Sequence, residues 1–315
     1  MSHYIRFLVL SFALAFAATP LYAQGSALVS LRKPDGLILS TGNLYFTSHD
    51  AAGATVWRTS QTSVPGQEGV LYWEPGARFG DIVFAQVDGN FFGYFFAQNA
   101  GVITIKRVPL TGGAATTLAT VTNIDVANSH RNLLTDGVNL YWQDDRAVRK
   151  MPIRGGAVTV LDPSSPNTPT AGLALQNGNI IYASVADIRF VPPNGAVTAP
   201  SVRTIATASS RVTALQAVAN GVFWGEQGGA VRRRVGSTTT TLQSSGSVPT
   251  SISANGATTA AAQAWTQCGS QACQLRFVFS ALNSTRAIGA DALGVTIIGR
   301  NIFWGDAAGV HRQGF

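Results

Sequence analysis

The sequence predicts an all-β fold: a β-propeller of seven blades, each of four antiparallel strands, closed by the N-terminal strand. Three observations carry this. Of 315 residues, 46% are apolar and only 12% charged, against about a quarter charged in an ordinary soluble domain, which excludes a disordered chain. The apolar segments are short and rich in Val, Ile, Thr and aromatics, without sustained heptads, and that is strand chemistry. A unit of about 40–45 residues recurs along the chain, the period of a four-stranded blade.

The chain opens with what reads as a secretory signal peptide, residues 1–23. Arg6 precedes the apolar run Phe7–Ala18, Thr19-Pro20 breaks it, and Leu21-Tyr22-Ala23 suits cleavage before Gln24. The run is too short for a membrane span, which takes about 20 residues. No cysteine follows it to carry a lipid, and no later segment is long and apolar enough to cross. The expected location is the periplasm or the secreted space, with residues 24–315 forming one propeller domain.

The clearest repeat unit starts at Leu133. A first strand ends at Asp136-Gly137, and the aromatic second strand is Leu140-Tyr141-Trp142. The third strand is Val148-Arg149-Lys150-Met151-Pro152, and Gly155-Gly156 turns into a fourth at Val158–Leu161. Marked at Tyr45, Phe92, Tyr141, Ile181, Phe223, Ala264 and Phe303, the second strands lie 47, 49, 40, 42, 41 and 39 residues apart. The copy at Ala264-Trp265 is degenerate, which leaves six blades as the alternative. The last unit stops after its third strand, Val310–Arg312, whereas Ala27–Leu31 precedes the first unit and belongs to none. Pairing the two closes the ring and removes a bare edge.

Tyr141-Trp142-Gln143-Asp144, followed by Val148-Arg149 and Gly155-Gly156, resembles the YWTD repeat of low-density-lipoprotein-receptor-type propellers. Phe223-Trp224-Gly225-Glu226 and Phe303-Trp304-Gly305-Asp306 are looser versions. The unit is also similar to those of exported bacterial propellers, a group mostly without assigned function. The resemblance covers residues 27–315 and implies a fold but no ligand residue. Receptor-type propellers have six blades, and the seven marks depart from that. The acids Asp144, Glu226 and Asp306 read as turn-capping residues, and Arg149, Arg189 and Arg232 on third strands as bases that lie toward solvent or cover the blade below with their stems.

Export gives Cys268 and Cys273 a meaning: two strand-flanked cysteines with four residues between them read as a hairpin disulfide. Catalytic constellations are hard to find. His49, His130 and His311 fall on different units without neighbouring ligand types, and zinc, EF-hand, Walker and G-x-S-x-G patterns are missing. The chain has no Glu-x-His, the pair used by seven-bladed streptogramin lyases of similar repeat length. Asp144-Asp145 is the one paired carboxylate, and adjacent strand residues point to opposite faces. Calcium there would need oxygens from other units, so the sequence supports no cofactor and no metal.

The formal net charge is +7, yet only Arg232-Arg233-Arg234 forms a basic run. Alternation sends its outer two members to one face, a small patch and not a phosphate-tracking stripe. Nucleic acid is therefore not an expected partner. An outer-membrane barrel is not expected either, since Phe315, Gln313, His311 and Gly309 make no lipid-facing row. The expected function is that of an exported, non-enzymatic module binding a protein or a cell-envelope glycan. The alternative is a hydrolase or lyase working at the central channel. His130 and Arg131, in a polar connection that fits no strand of the repeat, are the candidate binding residues.

Overall fold

The computed structural model describes residues 26–30, 34–40, 42–126, 132–163, 171–194, 202–256, 261–270, 272–279 and 282–315. The expected signal peptide lies outside them, as do His130 and Arg131. Seven antiparallel sheets of four strands stand in a ring. Blade I comprises Pro34–Ser40, Asn43–His49, Gly53–Ser60 and Gly69–Pro75; blade II, Ala77–Val87, Asn90–Asn99, Val102–Pro109 and Thr116–Val121. Blade III comprises Leu133–Thr135, Asn139–Gln143, Val148–Pro152 and Thr159–Asp162; blade IV, Leu173–Gln176, Asn179–Ser184, Asp187–Val191 and Arg203–Thr207. Blade V comprises Val212–Val218, Gly221–Glu226, Val231–Val235 and Thr238–Gln243; blade VI, Val248–Ala254, Gln263–Cys268, Cys273–Phe279 and Leu282–Ile288. Blade VII takes Leu293–Ile298, Asn301–Asp306 and Gly309–Gly314, with the N-terminal strand Ser26–Ser30 as its fourth. That strand pairs Ser26 with Arg312, Ala27 with His311, Val29 with Val310 and Ser30 with Gly309, so the ends of the chain close the ring as expected.

The first strands of successive blades lie against one another around the axis. A meander of four strands then fixes the two faces of the disc. The crossover face carries the blade-to-blade connections and the second-to-third turns. The opposite face carries the first-to-second and third-to-fourth turns.

Each second strand is buried on both sides, because every blade is sandwiched between two others, and this is why its sequence is a continuous apolar run. In blade III, Leu140 and Trp142 pack toward blade II with Tyr94, Phe96 and Ile105, while Tyr141 packs toward blade IV with Ile180 and Tyr182. Among the described residues, the buried side chains fall into seven apolar clusters, one at each blade junction. The degenerate blade VI obeys the same rule. Ala264 stands where other blades carry an aromatic or, in blade IV, Ile181, and its cross-strand partner Phe277 supplies the missing bulk against Trp304 of blade VII.

Polar clamps add to the apolar junctions. Glu74 of blade I accepts from Lys106 Nζ at 2.5 Å and Asn99 Nδ2 at 3.2 Å of blade II. Asp162 of blade III accepts from Tyr182 Oη at 2.5 Å. Burial and then that carboxylate push the Tyr182 hydroxyl well above its ordinary pKa. Gln243 of blade V accepts from Arg276 at 2.7 Å and Trp265 Nε1 at 3.3 Å of blade VI. Arg312 of blade VII reaches the Gln61 carbonyl of blade I at 2.7 Å.

The acids of the repeat cap turns, but the bases of the third strands do not simply face solvent. Asp144 accepts from the backbone N–H of Arg146 and Ala147 at 2.9 and 2.8 Å and from Arg149 Nε. Glu226 accepts from Arg232 Nε at 2.6 Å and Trp224 Nε1 at 3.0 Å. Asp306 faces His311 Nε2 at 2.9 Å and accepts from the N–H of Gly289 and Ala308 at 2.9 and 2.8 Å. A buried carboxylate must be paired or lose its charge, and the third-strand base is the partner within reach.

This arrangement predicts a pH signature. Burial alone would raise the Asp306 pKa, but His311 and the two N–H donors outweigh it and hold it below the ordinary carboxylate value. A depressed folded pKa contributes stability that is full above the unfolded value, near 3.9, and is lost as the pH falls through the folded one. Asp306→Asn should therefore cost about 2 kcal/mol at pH 7, the scale of hydrogen bonds to a charged group. Melting curves from pH 7 to pH 2.5 should show its deficit against wild type closing below about pH 4. A deficit independent of pH would show that packing, not charge, is what the substitution removes.

Cys268 and Cys273 are directly opposed where the second and third strands of blade VI meet, and they form a disulfide. Non-reducing peptide mapping of the purified protein should recover this link. Replacing both by serine should cost about 2 kcal/mol on the loop-entropy relation for so small a ring. Free thiols on both would contradict the assignment.

Candidate functional site

The central channel narrows to a cavity of about 330 Å³, lined by Leu37, Asp81, Ile82, Val83, Leu133, Leu134, Leu173, Ala174, Leu175, Gln216, Ala217 and Thr296. These residues come from the first strands of six blades, and nine of the twelve are apolar. Asp81 accepts from the N–H of Ile82 at 3.1 Å and of Leu133 at 3.4 Å, tying blade II to blade III. The cavity has the character of a packed core more than of a reaction chamber.

On the crossover face, the start of blade I brings Asp35 to His49. Asp35 is the extra residue of a bulge between Pro34 and Gly36, which turns it toward the end of the second strand. Its carboxylate lies 2.6 Å from His49 Nδ1 and 4.0 Å from Arg78 Nη2 of blade II. Asp35 is buried and the His49 side chain is 32% exposed, so solvent reaches the ring. A carboxylate-held imidazole is an arrangement suited to proton transfer. Among the described residues, however, no hydroxyl or thiol is hydrogen-bonded to His49, and no group of three or more His, Cys, Asp or Glu could hold a metal ion. The sequence reading placed His49 and His311 without partners. Both have one, Asp35 and Asp306, because strand pairing joins residues that sequence spacing separates.

The opposite face carries larger openings. Between blades IV and V lies a groove of about 610 Å³. Blade IV contributes Gln176, Asn177, Phe190, Arg203, Thr204 and Ile205; blade V contributes residues 219–222 and Arg234, Val235 and Gly236. Arg203 pairs across the ladder with Phe190, and Arg234 with Val222. Arg232 and Arg234 both face blade IV, as alternation requires. Arg232 is consumed there by Glu226, Thr241 and Ser209 at 2.6, 3.0 and 3.1 Å. Arg234 reaches the groove. The floor is pinned by Gln176, whose Nε2 donates to the carbonyls of Val218 and Gly221 at 2.6 and 3.1 Å. Among the described residues, no Asp or Glu lines the groove.

The equivalent opening between blades I and II, about 500 Å³, has a different chemistry. It is lined by Tyr45, Gly89, Asn90, Phe91, Phe92, Pro109, Leu110 and Thr111. Phe91 is 42% exposed there, and the Arg107 guanidinium lies 5.1 Å from the Phe92 ring centroid. Sequence reasoning identified neither groove. Each forms where two blades meet, and only Arg234 and the aromatic run Phe91–Phe96 were visible as local signals.

The sequence matches no protein-family profile and no curated protein. Solved structures do match. The WD40 β-propeller domain of Doa1 superposes with a TM-score of 0.61 at 12% identity, over 92% of this chain and 96% of that one. YCF48 from Cyanidioschyzon merolae gives 0.58 at 12% identity, over 92% and 98%. A Mycobacterium tuberculosis puromycin-hydrolyzing peptidase gives 0.60 at 11% identity, over 90% of this chain and 52% of that one, so this chain spans about half the peptidase. Identities this low show a shared fold alone.

Proposed function

We propose that the protein is an exported, non-enzymatic binding module that takes a protein or cell-envelope glycan on the disc face opposite the crossovers. The observation that carries this is the contrast between an open groove with uncompensated Arg203 and Arg234 and a channel lined mainly by apolar chains. Concave openings of some 300–1,000 Å³ are the usual size for ligand sites. The export component rests on the signal-peptide reading of residues 1–23 and on a disulfide suited to an oxidising compartment. The YWTD-like grammar of the repeats agrees with kinship to exported propellers. Such a module needs no cofactor. The test is a glycan array and a pull-down from envelope extract, both with the mature chain. Saturable retention of one glycan class or one protein is expected, and retention of nothing would end this reading.

A second reading, a hydrolase or lyase at the channel, draws on the Asp35–His49 pair beside Arg78. It requires a nucleophile or metal that the described residues do not bring to His49. Turnover of a screened ester or glycoside that His49→Ala abolishes would establish it in place of the binding reading.

A further inference from the structure

The groove between blades IV and V has a property that narrows its ligand. Five blades pair one third-strand base with an acid: Lys106 with Glu74, Arg149 with Asp144, Arg189 with Asp187, Arg232 with Glu226, His311 with Asp306. Arg234, also on a third strand, and Arg203, on the fourth strand of blade IV, do not pair with an acid. Neither has a hydrogen-bond or ion-pair partner among the described residues, and both line one concavity without an acid. Two guanidiniums that share a groove repel each other and attract an anion, and their planar forks match carboxylates.

The remaining lining separates the candidate anions. A protein partner is usually gripped by large apolar or aromatic anchors at the centre of the interface. Here the apolar side chains are Phe190 and Ile205, both partly buried, with Ala219, Val222 and Val235. The polar lining is Asn177, Asn220 and Thr204, whose amides and hydroxyl offer donors and acceptors side by side, with Gln176 held in the floor by its own hydrogen bonds. That mixture suits the hydroxyls of a sugar, and the arginines suit its carboxylate. We infer that the groove between blades IV and V binds a carboxylated saccharide, with Arg203 and Arg234 on its carboxylates and the amides on its hydroxyls. This rests on the binding-module reading and specifies its ligand.

The experiment is calorimetric titration of the full mature chain with oligogalacturonate, with a neutral cello-oligosaccharide and poly-L-glutamate as comparators. Melting curves check folding of Arg203→Gln with Arg234→Gln, and of the charge-keeping double lysine variant. Oligogalacturonate is expected to bind, more weakly at 500 mM than at 50 mM salt, and the neutral sugar not to bind. The double glutamine variant should lose at least tenfold in affinity, and the double lysine variant should lose less. Three results would overturn the inference: no oligogalacturonate binding by folded wild type, unchanged affinity in the double glutamine variant, or poly-L-glutamate bound as tightly as the sugar acid. The binding-module reading survives each of these, because it fails only if wild type retains nothing from array or extract.

Discussion

Deleting residues 24–32 is expected to destabilise the protein by at least about 4 kcal/mol. The deletion removes the strand Ser26–Ser30, which makes four register pairs with Gly309–Arg312, and ladder hydrogen bonds are each worth about 1 kcal/mol net. It also leaves the third strand of blade VII as a bare edge next to the junction with blade I, where Phe303 and Val310 pack on Leu44, Phe46 and Trp57. A ring has no independent end, so loosening blade VII weakens the junctions on both of its sides. Chemical denaturation should show a lower midpoint, and the exposed edge should promote association. A truncated protein that unfolds like wild type would refute closure by the N-terminal strand.

Trp142→Ala and Trp304→Ala should each cost about 3–5 kcal/mol, the range for aromatic truncation in a packed core. Both side chains are 1% exposed. Trp142 packs among Tyr94, Phe96 and Leu140, and Trp304 among Leu275, Phe277 and Ile302. Among the described residues the indole N–H of each has no hydrogen-bond partner, so neither truncation breaks a hydrogen bond; Trp304 also stacks on His311 and lies under the Arg286 guanidinium, which places its loss toward the upper end of the range. Trp224 differs, because its N–H donates to Glu226 at 3.0 Å. Trp224→Ala takes a donor from a buried carboxylate as well as opening a cavity, and should cost more than either. Denaturant midpoints of the three variants decide this ordering. Equal losses in all three would remove the role given to the Glu226 bond.

The fold was legible because its defining contacts repeat. Tyr141 and Trp142 read as a second strand because a blade needs bulk on both of its faces, and the same need recurs at each junction. The weak copy at Ala264 obscured the blade count because the bulk had moved across the ladder to Phe277. In blade II the aromatic run Phe91–Phe96 fits the repeat in two frames two residues apart. The structure seats Tyr94, Phe95 and Phe96 in the core and leaves Phe92 partly buried. The site was much less legible. Arg234 stood out within a basic run, but Arg203 has no local pattern and becomes significant only across the gap between blades. Asp35 and His49 lie 14 residues apart, and a bulge, invisible in the sequence, turns one toward the other. Single-strand patterns encode burial well; convergence between blades they do not encode.

Ligand taken on the face opposite the crossovers, and not at the channel mouth beside His49, leaves a distinct footprint in hydrogen–deuterium exchange of residues 24–315 with and without saturating oligogalacturonate. Exchange should slow at residues 176–177, 203–205, 219–222 and 234–236, with residues 34–49 and 78–82 unchanged. Protection confined to residues 34–49 and 78–82 would contradict this placement and move the site to the channel mouth.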